Sequence, residues 1–197
     1  MAAPPVSRGV PTRSARDAEA VPTVAVRRTG DLTEIELLLL WALVREAFGG
    51  ELSQEDWAHA QGGLHVVLSE GDQLISHAAV VPRTMLAGGR PLSAGYIESV
   101  ATRPKWQKQG HGSAVMRAVG TIVMSDFEMG ALSTGAHGFY SRLGWESWRG
   151  PTYVQSATGR TRTVEDDDSI MILRTVRTYD LATHTPLVCE WRSGDAW

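Results

Sequence analysis

Between Leu64 and Thr102 the sequence turns back on itself twice. The run LHVVLSEGDQLISHAAVV sets strand-forming residues on both sides of Glu70-Gly71-Asp72, and TMLAGGRPLSAGYIESVAT repeats the device around Gly88-Gly89. Short glycine-bearing loops between such runs suit the turns that join antiparallel strands. A meander is therefore predicted here, with Leu92 to Thr102 returning along the strand before it. Any fold this chain adopts has to contain that sheet.

The flanking segments read as helices and later strands. Thr23 to Arg28 alternates weakly, as a first strand would. Asp31 and Glu34 stand three apart before an apolar run, which predicts a capped helix from about Leu32 to Phe48, closed by Gly49-Gly50. Ser53 with Asp56 predicts a second, shorter helix through Trp57, broken by Gly62-Gly63. Past the meander, Val115, Met116, Val119, Ile122 and Val123 share one helical face, giving a helix over 111–125. GALST reads as a short buried strand, HGFYSRLGW as a short helix or turn, and PTYVQ, SIMILRTV and PLVCEWR as late strands.

Composition narrows the functional classes. A chain of 197 residues with 43% hydrophobic content can bury one proper core. Its net charge of -3 offers no global attraction for a polyanion such as nucleic acid. The single cysteine, Cys189, excludes an internal disulfide, and its strand-like setting predicts a buried, inert thiol. The histidines show no metal-ligand spacing, so His59, His65 and His77 are expected to pack or hydrogen-bond, and no metal is expected. The longest apolar run, Leu37 to Val44, is too short for a bilayer. Residues 1–22, rich in Ala, Pro, Ser and Arg, lack the apolar block of a secretory signal and read as a disordered leader before one domain over 23–197. A cytoplasmic location follows from these features.

The segment WQKQGHGSAVM joins the meander to the predicted helix. A helix N-terminus carries unpaired N–H groups and a partial positive charge, so a loop free of side chains there lets a phosphate approach. The alternative is a tight turn and nothing more. Val115 stands where a dinucleotide fingerprint needs a third glycine, and no Gly-Lys-Ser/Thr follows, so neither familiar phosphate loop is present.

Gln107-Lys108-Gln109-Gly110-His111-Gly112, placed between a meander strand and a helix, resembles the pyrophosphate loop of the GNAT superfamily of N-acetyltransferases. FGGELSQEDW, GGLHVVL, ISHAAVV, GYIESVATRPKW, RLGW, GPTYV, TGRTRT, EDDD and CEWRSGDAW are similar to the aminoglycoside 2'-N-acetyltransferases in particular, from about Val24 to Trp197. The resemblance implies an α/β GNAT (acyl-CoA N-acyltransferase) fold: a mixed, mostly antiparallel central sheet flanked by helices and splayed at the acetyl-CoA site. It also implies acetyl-CoA as co-substrate, an aminoglycoside or related amino sugar as acceptor, and a homodimer.

What the resemblance implies for residues is equally specific. Gln107, Lys108, Gln109, Gly110, His111, Gly112 and Ser113 would hold the pyrophosphate, with Val100, Ala101 and Thr102 along the pantetheine arm and an N–H near Val100 polarising the thioester. A polycationic sugar calls for carboxylates at several angles. Glu51, Asp56, Glu98, Asp167 and Asp195 are candidates, with Ser99, Ser133 and Trp197 beside them. Glu98 stands in the apolar strand YIESVA, where an ionised carboxylate needs a cation or a cleft; the lesser alternative is an ordinary outward-pointing strand residue. It is the candidate base, with Trp197 and its carboxylate sharing the work, and Tyr140 is the candidate proton donor to the leaving thiolate. Tyr140 could instead be a core aromatic, and Asp56 a helix cap. Two other readings stay open: an N-acetyltransferase for a cell-wall amino sugar or a polyamine, and a non-catalytic aminoglycoside-binding protein.

Overall fold

The structure is a computed structural model and describes residues 21–197, so residues 1–20 of the expected leader lie outside the described residues. The described chain runs β1 (Thr23–Arg28), α1 (Glu34–Ala47), α2 (Gln54–Ala60), β2 (Leu64–Glu70), β3 (Gln73–Ala87), β4 (Arg90–Thr102), α3 (His111–Asp126), β5 (Met129–Ser133), α4 (His137–Ser141), β6 (Glu146–Ser147), β7 (Thr152–Ser156), β8 (Gly159–Arg162), β9 (Ile170–Arg174) and β10 (Leu187–Glu190). Both hairpins form where expected. β3 pairs antiparallel with β2 and with β4, turning at Gly71-Asp72 and Gly88-Gly89.

One sheet takes in every strand, in the order β6-β9-β5-β4-β3-β10-β7-β8, with β1 added to the edge of β2. Pairing is antiparallel except for β4 with β5 and β10 with β7. The fold is thus α/β with a mixed, mostly antiparallel sheet.

Two features of β4 interrupt the regular sheet. Its register with β3 jumps between His77↔Ala101 and Ala79↔Glu98, so Ser99 and Val100 together oppose Ala78 in a β-bulge. Its register with β5 runs only from Ala94↔Met129 to Tyr96↔Ala131 and then stops. Beyond Tyr96 the two strands part.

The helices are fixed by their ends and their apolar faces. The box opening α1 is Thr33 with Glu36, two residues past the expected Asp31 and Glu34: Thr33 Oγ1 accepts from the Glu36 N–H (3.2 Å) while Glu36 Oε2 accepts from the Thr33 N–H (2.8 Å). Asp31 ends a preceding turn of 3-10 helix instead. The box of Ser53 and Asp56 opens α2 as expected. Leu40, Leu43 and Val44 of α1 bury against Trp57, Val67, Ala79 and Ala101. On another face of the sheet Val115, Met116, Val119 and Val123 of α3 pack on Val66, Val80, Ile97 and Leu132. A further cluster around Trp148, Met129, Leu187 and Trp197 seats the late strands and the C-terminal residues.

Candidate active site

Where β4 and β5 separate lies a cavity of about 470 Å³. Four stretches of chain converge on it. The bulged strand contributes Tyr96, Glu98, Ser99 and Val100; the end of β5 and the loop after it contribute Ser133 to Ala136, with Tyr140 of α4 behind them. Phe48, Leu52, Asp56 and His59 close one side from α2 and its approach, and Arg192, Asp195 and Trp197 close another.

The C-terminal segment is held there by bonds from distant parts of the sequence. Arg83 of β3 donates to the carbonyls of Ala196 (2.7 Å) and Glu190 (2.8 Å). His59 Nε2 lies 2.7 Å from the Ser193 carbonyl, which can only accept, so that nitrogen carries the proton. Trp197 Nε1 donates to Thr163 Oγ1 at 3.1 Å, and its indole is buried in the core.

Glu98 is the most unusual group in the cavity. Its side chain is 14% exposed and lies beside Arg192, whose Nη1 is 2.6 Å from Oε1. The approach is an ion pair without hydrogen-bond alignment, and that oxygen has no hydrogen-bond donor in the protein. Burial pushes the carboxyl above the ordinary glutamate range, partly offset by Arg192 and Arg83 and reinforced by Asp195. The neighbouring Tyr96 hydroxyl is likewise buried without a partner, and burial keeps it a neutral phenol. Arg83 and Arg192 lie 4.8 and 5.6 Å from the centroid of its ring.

Tyr140 is buried edge-on against Phe139 and Trp145 yet also lines the cavity. Burial raises its phenol to about 12, so it stays a proton donor near neutrality. Asp56 likewise does two things: it caps α2 through Ser53 and faces the cavity.

At the far end of β4 the glycine loop begins α3. Gly110 is the N-cap at φ +88° and supplies no side-chain cap, so the first-turn N–H groups from His111 onward have no partner within the helix. Gln107 donates to the Thr102 carbonyl (3.1 Å) and Gln109 to the Lys105 carbonyl (3.0 Å), while Lys108 takes a left-handed backbone. These contacts shape a loop whose open side offers backbone donors. That arrangement fits a pyrophosphate.

Several sequence candidates stand away from the cavity. Glu51 is exposed in the link between α1 and α2. Asp167 accepts from the Thr152 N–H (3.1 Å) and hydroxyl (3.0 Å) and pairs with Arg162, whose hydrogen bond holds its carboxyl down to about 2. The Ala101 side chain packs in the core with Trp57, leaving only its backbone for a ligand. Cys189 is buried, and burial lifts its thiol to about 11. Among the described residues no group of three or more His, Cys, Asp or Glu could hold a metal, and no helix is long and apolar enough to cross a membrane.

Sequence reasoning missed Arg192, Arg83, Tyr96 and His59 at this site. Arg192 had a signal, a lone cation between Glu190 and the candidate Asp195 in CEWRSGDAW. Arg83 had none, because its partners are brought to it only by the pairing of β10 with β3.

A splayed β4–β5 seam, a bulge on β4 and a bare helix N-terminus at its end define an acyl-CoA-dependent acyltransferase site. Residues 29–148 match the model of the Acetyltransferase (GNAT) domain, and the chain belongs to the GNAT acetyltransferases. Within 159 aligned residues it is 42% identical to the aminoglycoside 2'-N-acetyltransferase of Mycolicibacterium fortuitum, covering 79% of this chain and 82% of that protein. Solved structures agree on the fold. The GNAT family N-acetyltransferase YhbS of Escherichia coli, in complex with CoA, superposes with a TM-score of 0.62 at 15% identity over 88% of this chain and 92% of that one. A GCN5-related N-acetyltransferase of Kribbella flavida gives 0.55 at 24% identity over 66% of this chain, which spans only 34% of that longer protein.

Proposed function

We propose that this chain transfers the acetyl group of acetyl-CoA to the 2'-amine of aminoglycosides by direct attack in a ternary complex, and so confers resistance to them. The observation that carries this reading is a single cavity holding a buried, underpaired Glu98, the β4 bulge and the Tyr140 phenol. The 42% identical relative supports the acceptor class. Acetyl-CoA supplies an activated thioester. The first turn of α3 from Gly110 to Ser113 holds its pyrophosphate, with Gln107 to Gln109 shaping the loop, and the bulge at Ser99–Val100 meets its carbonyl.

An ammonium cannot attack a carbonyl. Glu98 takes the proton, directly or through a water, and the freed nitrogen lone pair forms the N–C bond as the C–S bond breaks. The departing thiolate takes a proton from Tyr140, and the second proton shed by the acetylated nitrogen restores that phenol. Asp56, Glu98 and Asp195 present negative charge to the sugar's other ammonium groups from α2, β4 and the C-terminal segment. Holding amine and thioester together makes an enzyme nucleophile unnecessary, in keeping with the inert Cys189.

Thiol release measured across aminoglycosides with an amine or a hydroxyl at the 2' position tests the claim. Turnover confined to the 2'-amines is expected; turnover with the hydroxyl compounds would break it. Binding of aminoglycoside with no thiol release at all would favour a sequestering protein. Homodimerisation, implied by the same kinship, is open to sedimentation analysis, and the need for acetyl-CoA favours the cytoplasm as the place of reaction.

A further inference from the structure

Beneath the bulge lies a chain of buried hydrogen bonds that ends on the Ser99 peptide. His77 Nδ1 lies 2.9 Å from the Ser99 carbonyl oxygen, His77 Nε2 lies 2.9 Å from His65 Nδ1, and His65 Nε2 lies 3.0 Å from the Thr29 hydroxyl. Both imidazoles are buried, and Trp57 covers them with ring centroids at 6.0 and 5.8 Å.

The chemistry of the ends fixes the protons. A carbonyl oxygen only accepts, so His77 Nδ1 carries a proton. Burial lowers His77 to about 3 and His65 to about 4, so both rings are neutral and each has one N–H. His77 Nε2 is then an acceptor, His65 Nδ1 its donor, and His65 Nε2 an acceptor for the Thr29 hydroxyl. The Gly63 carbonyl, which that hydroxyl could also reach, keeps the Thr29 N–H at 3.1 Å. One proton arrangement satisfies every group, and it points toward Ser99.

Ser99 is also one of only three non-glycine residues with a left-handed backbone among the described residues, at φ +51°. Such a conformation costs about 1–2 kcal/mol and persists only where its surroundings impose it. The Ser99 carbonyl and the Val100 N–H belong to one trans peptide plane, so they point in opposite directions. Binding the carbonyl toward His77 turns that N–H away from His77, and Val100 lines the cavity.

We infer that His77, kept in its Nδ1–H form by His65 and Thr29, is a positioning residue that aims and polarises the Val100 N–H as the donor to the developing oxyanion. A donor on the carbonyl makes the N–H of the same peptide a stronger donor. The inference rests on the proposed acyl transfer. Its test compares His77→Gln with His77→Asn. The Gln amide reaches where Nε2 was and still meets His65 but not Ser99; the Asn amide falls near Nδ1 and keeps the bond to Ser99.

His77→Gln is expected to lower kcat by about tenfold to a hundredfold, toward the loss seen on removing one oxyanion donor. Its affinity for CoA, which has no acetyl carbonyl, should stay within about twofold, since the contacts of the pyrophosphate are untouched. His77→Asn should recover most of the turnover. Imidazole 15N shifts in the wild type should show Nδ1 of His77 protonated. Equal turnover in both variants, a loss of CoA affinity in step with kcat, or an Nε2–H tautomer at His77 would each overturn the proposal. Failure of the underlying acyl-transfer reading is distinguishable, because the wild type would then release no thiol, and the proposal would fall with it.

Discussion

Replacing Arg192 by Gln removes the only cation within ion-pair distance of Glu98 among the described residues and leaves a shorter, neutral side chain. The two partners are 17% and 14% exposed, so the carboxylate left behind is largely desolvated. Breaking a buried pair in this way costs about 3–5 kcal/mol, and the residual exposure argues for the lower end, about 3 kcal/mol. For a domain of this size that is a fall of about 6–12 °C in Tm near neutral pH. The loss depends on pH. Glu98 already has its folded pKa above the unfolded value, so its contribution to stability is present below the unfolded value and is lost as pH rises through the folded one. Without Arg192 only Arg83 opposes burial and Asp195, and the folded value climbs further. The deficit of Arg192→Gln relative to wild type should therefore be large at pH 8 and small at pH 5. His59 also feels Arg192, which contributes to its lowered pKa, and would drift in the same sense. The double variant Glu98→Gln/Arg192→Gln separates the two, since it removes the Glu98 dependence and keeps that of His59. Thermal melts of wild type, Glu98→Gln, Arg192→Gln and the double variant at both pH values decide the matter. An equal deficit at pH 5 and pH 8, or a double variant no more stable than Arg192→Gln, would refute the assignment of Glu98 as a buried ionised carboxylate.

Glu98→Gln alone should reduce turnover by about 10²–10⁴-fold with CoA affinity nearly kept; unchanged turnover would remove it as the base. Gly110→Ala places a side chain at φ +88°, so a loss of about 1–2 kcal/mol is expected together with weaker CoA binding, measured by melting and calorimetry. Gly120→Ala serves as its control, because a Cβ there meets Leu173 Cδ2 at 3.7 Å in the middle of α3, away from the helix N-terminus, and CoA affinity should change by less than about threefold. Asp167→Asn should lower Tm from pH 7 down to pH 4 and leave the KM for aminoglycoside unchanged. The wild-type advantage, which comes from a depressed carboxyl, should vanish as pH falls through about 2.

The parts of this molecule that the sequence reveals are those set by neighbours in the chain. Gly71 and Gly88-Gly89 announce the two hairpins because a tight turn depends on a few consecutive residues, and the periodicity of Val115 to Val123 announces α3 for the same reason. Even there the register can slip. Asp31–Glu34 and Thr33–Glu36 have the same spacing, and only the structure shows which pair closes the box. Contacts across the chain were silent. The parallel seat of β10 beside β7, the ties from Arg83 to Ala196 and from His59 to Ser193, and the convergence of His65, His77 and Ser99 join residues with no shared local pattern. His65 and His77 were readable as hydrogen-bonding residues, but their partner depends on the bulge, which shifts the register of β4 by one residue.

The site lies where it does because β4 answers to two neighbours that make different demands. On one side it is the last strand of a meander whose bulge adds a residue to β4 but not to β3. On the other it meets β5 in parallel at Gly95↔Gly130, where a Cβ would come within 2.9 Å of Phe127 or Trp145. Glycine at both positions lets those rings press onto the seam and hold the strands together there. Pairing ends one residue later, at Tyr96↔Ala131, and the extra residue of the bulge falls just beyond. The opening between the strands, the turned peptide of Ser99 and the buried carboxylate of Glu98 thus share one origin, a register mismatch placed directly after a glycine clamp. Within the interior of a sheet, chemistry that needs a backbone N–H free of pairing requires such a place, because along a regular interior strand that N–H is committed to a neighbouring strand.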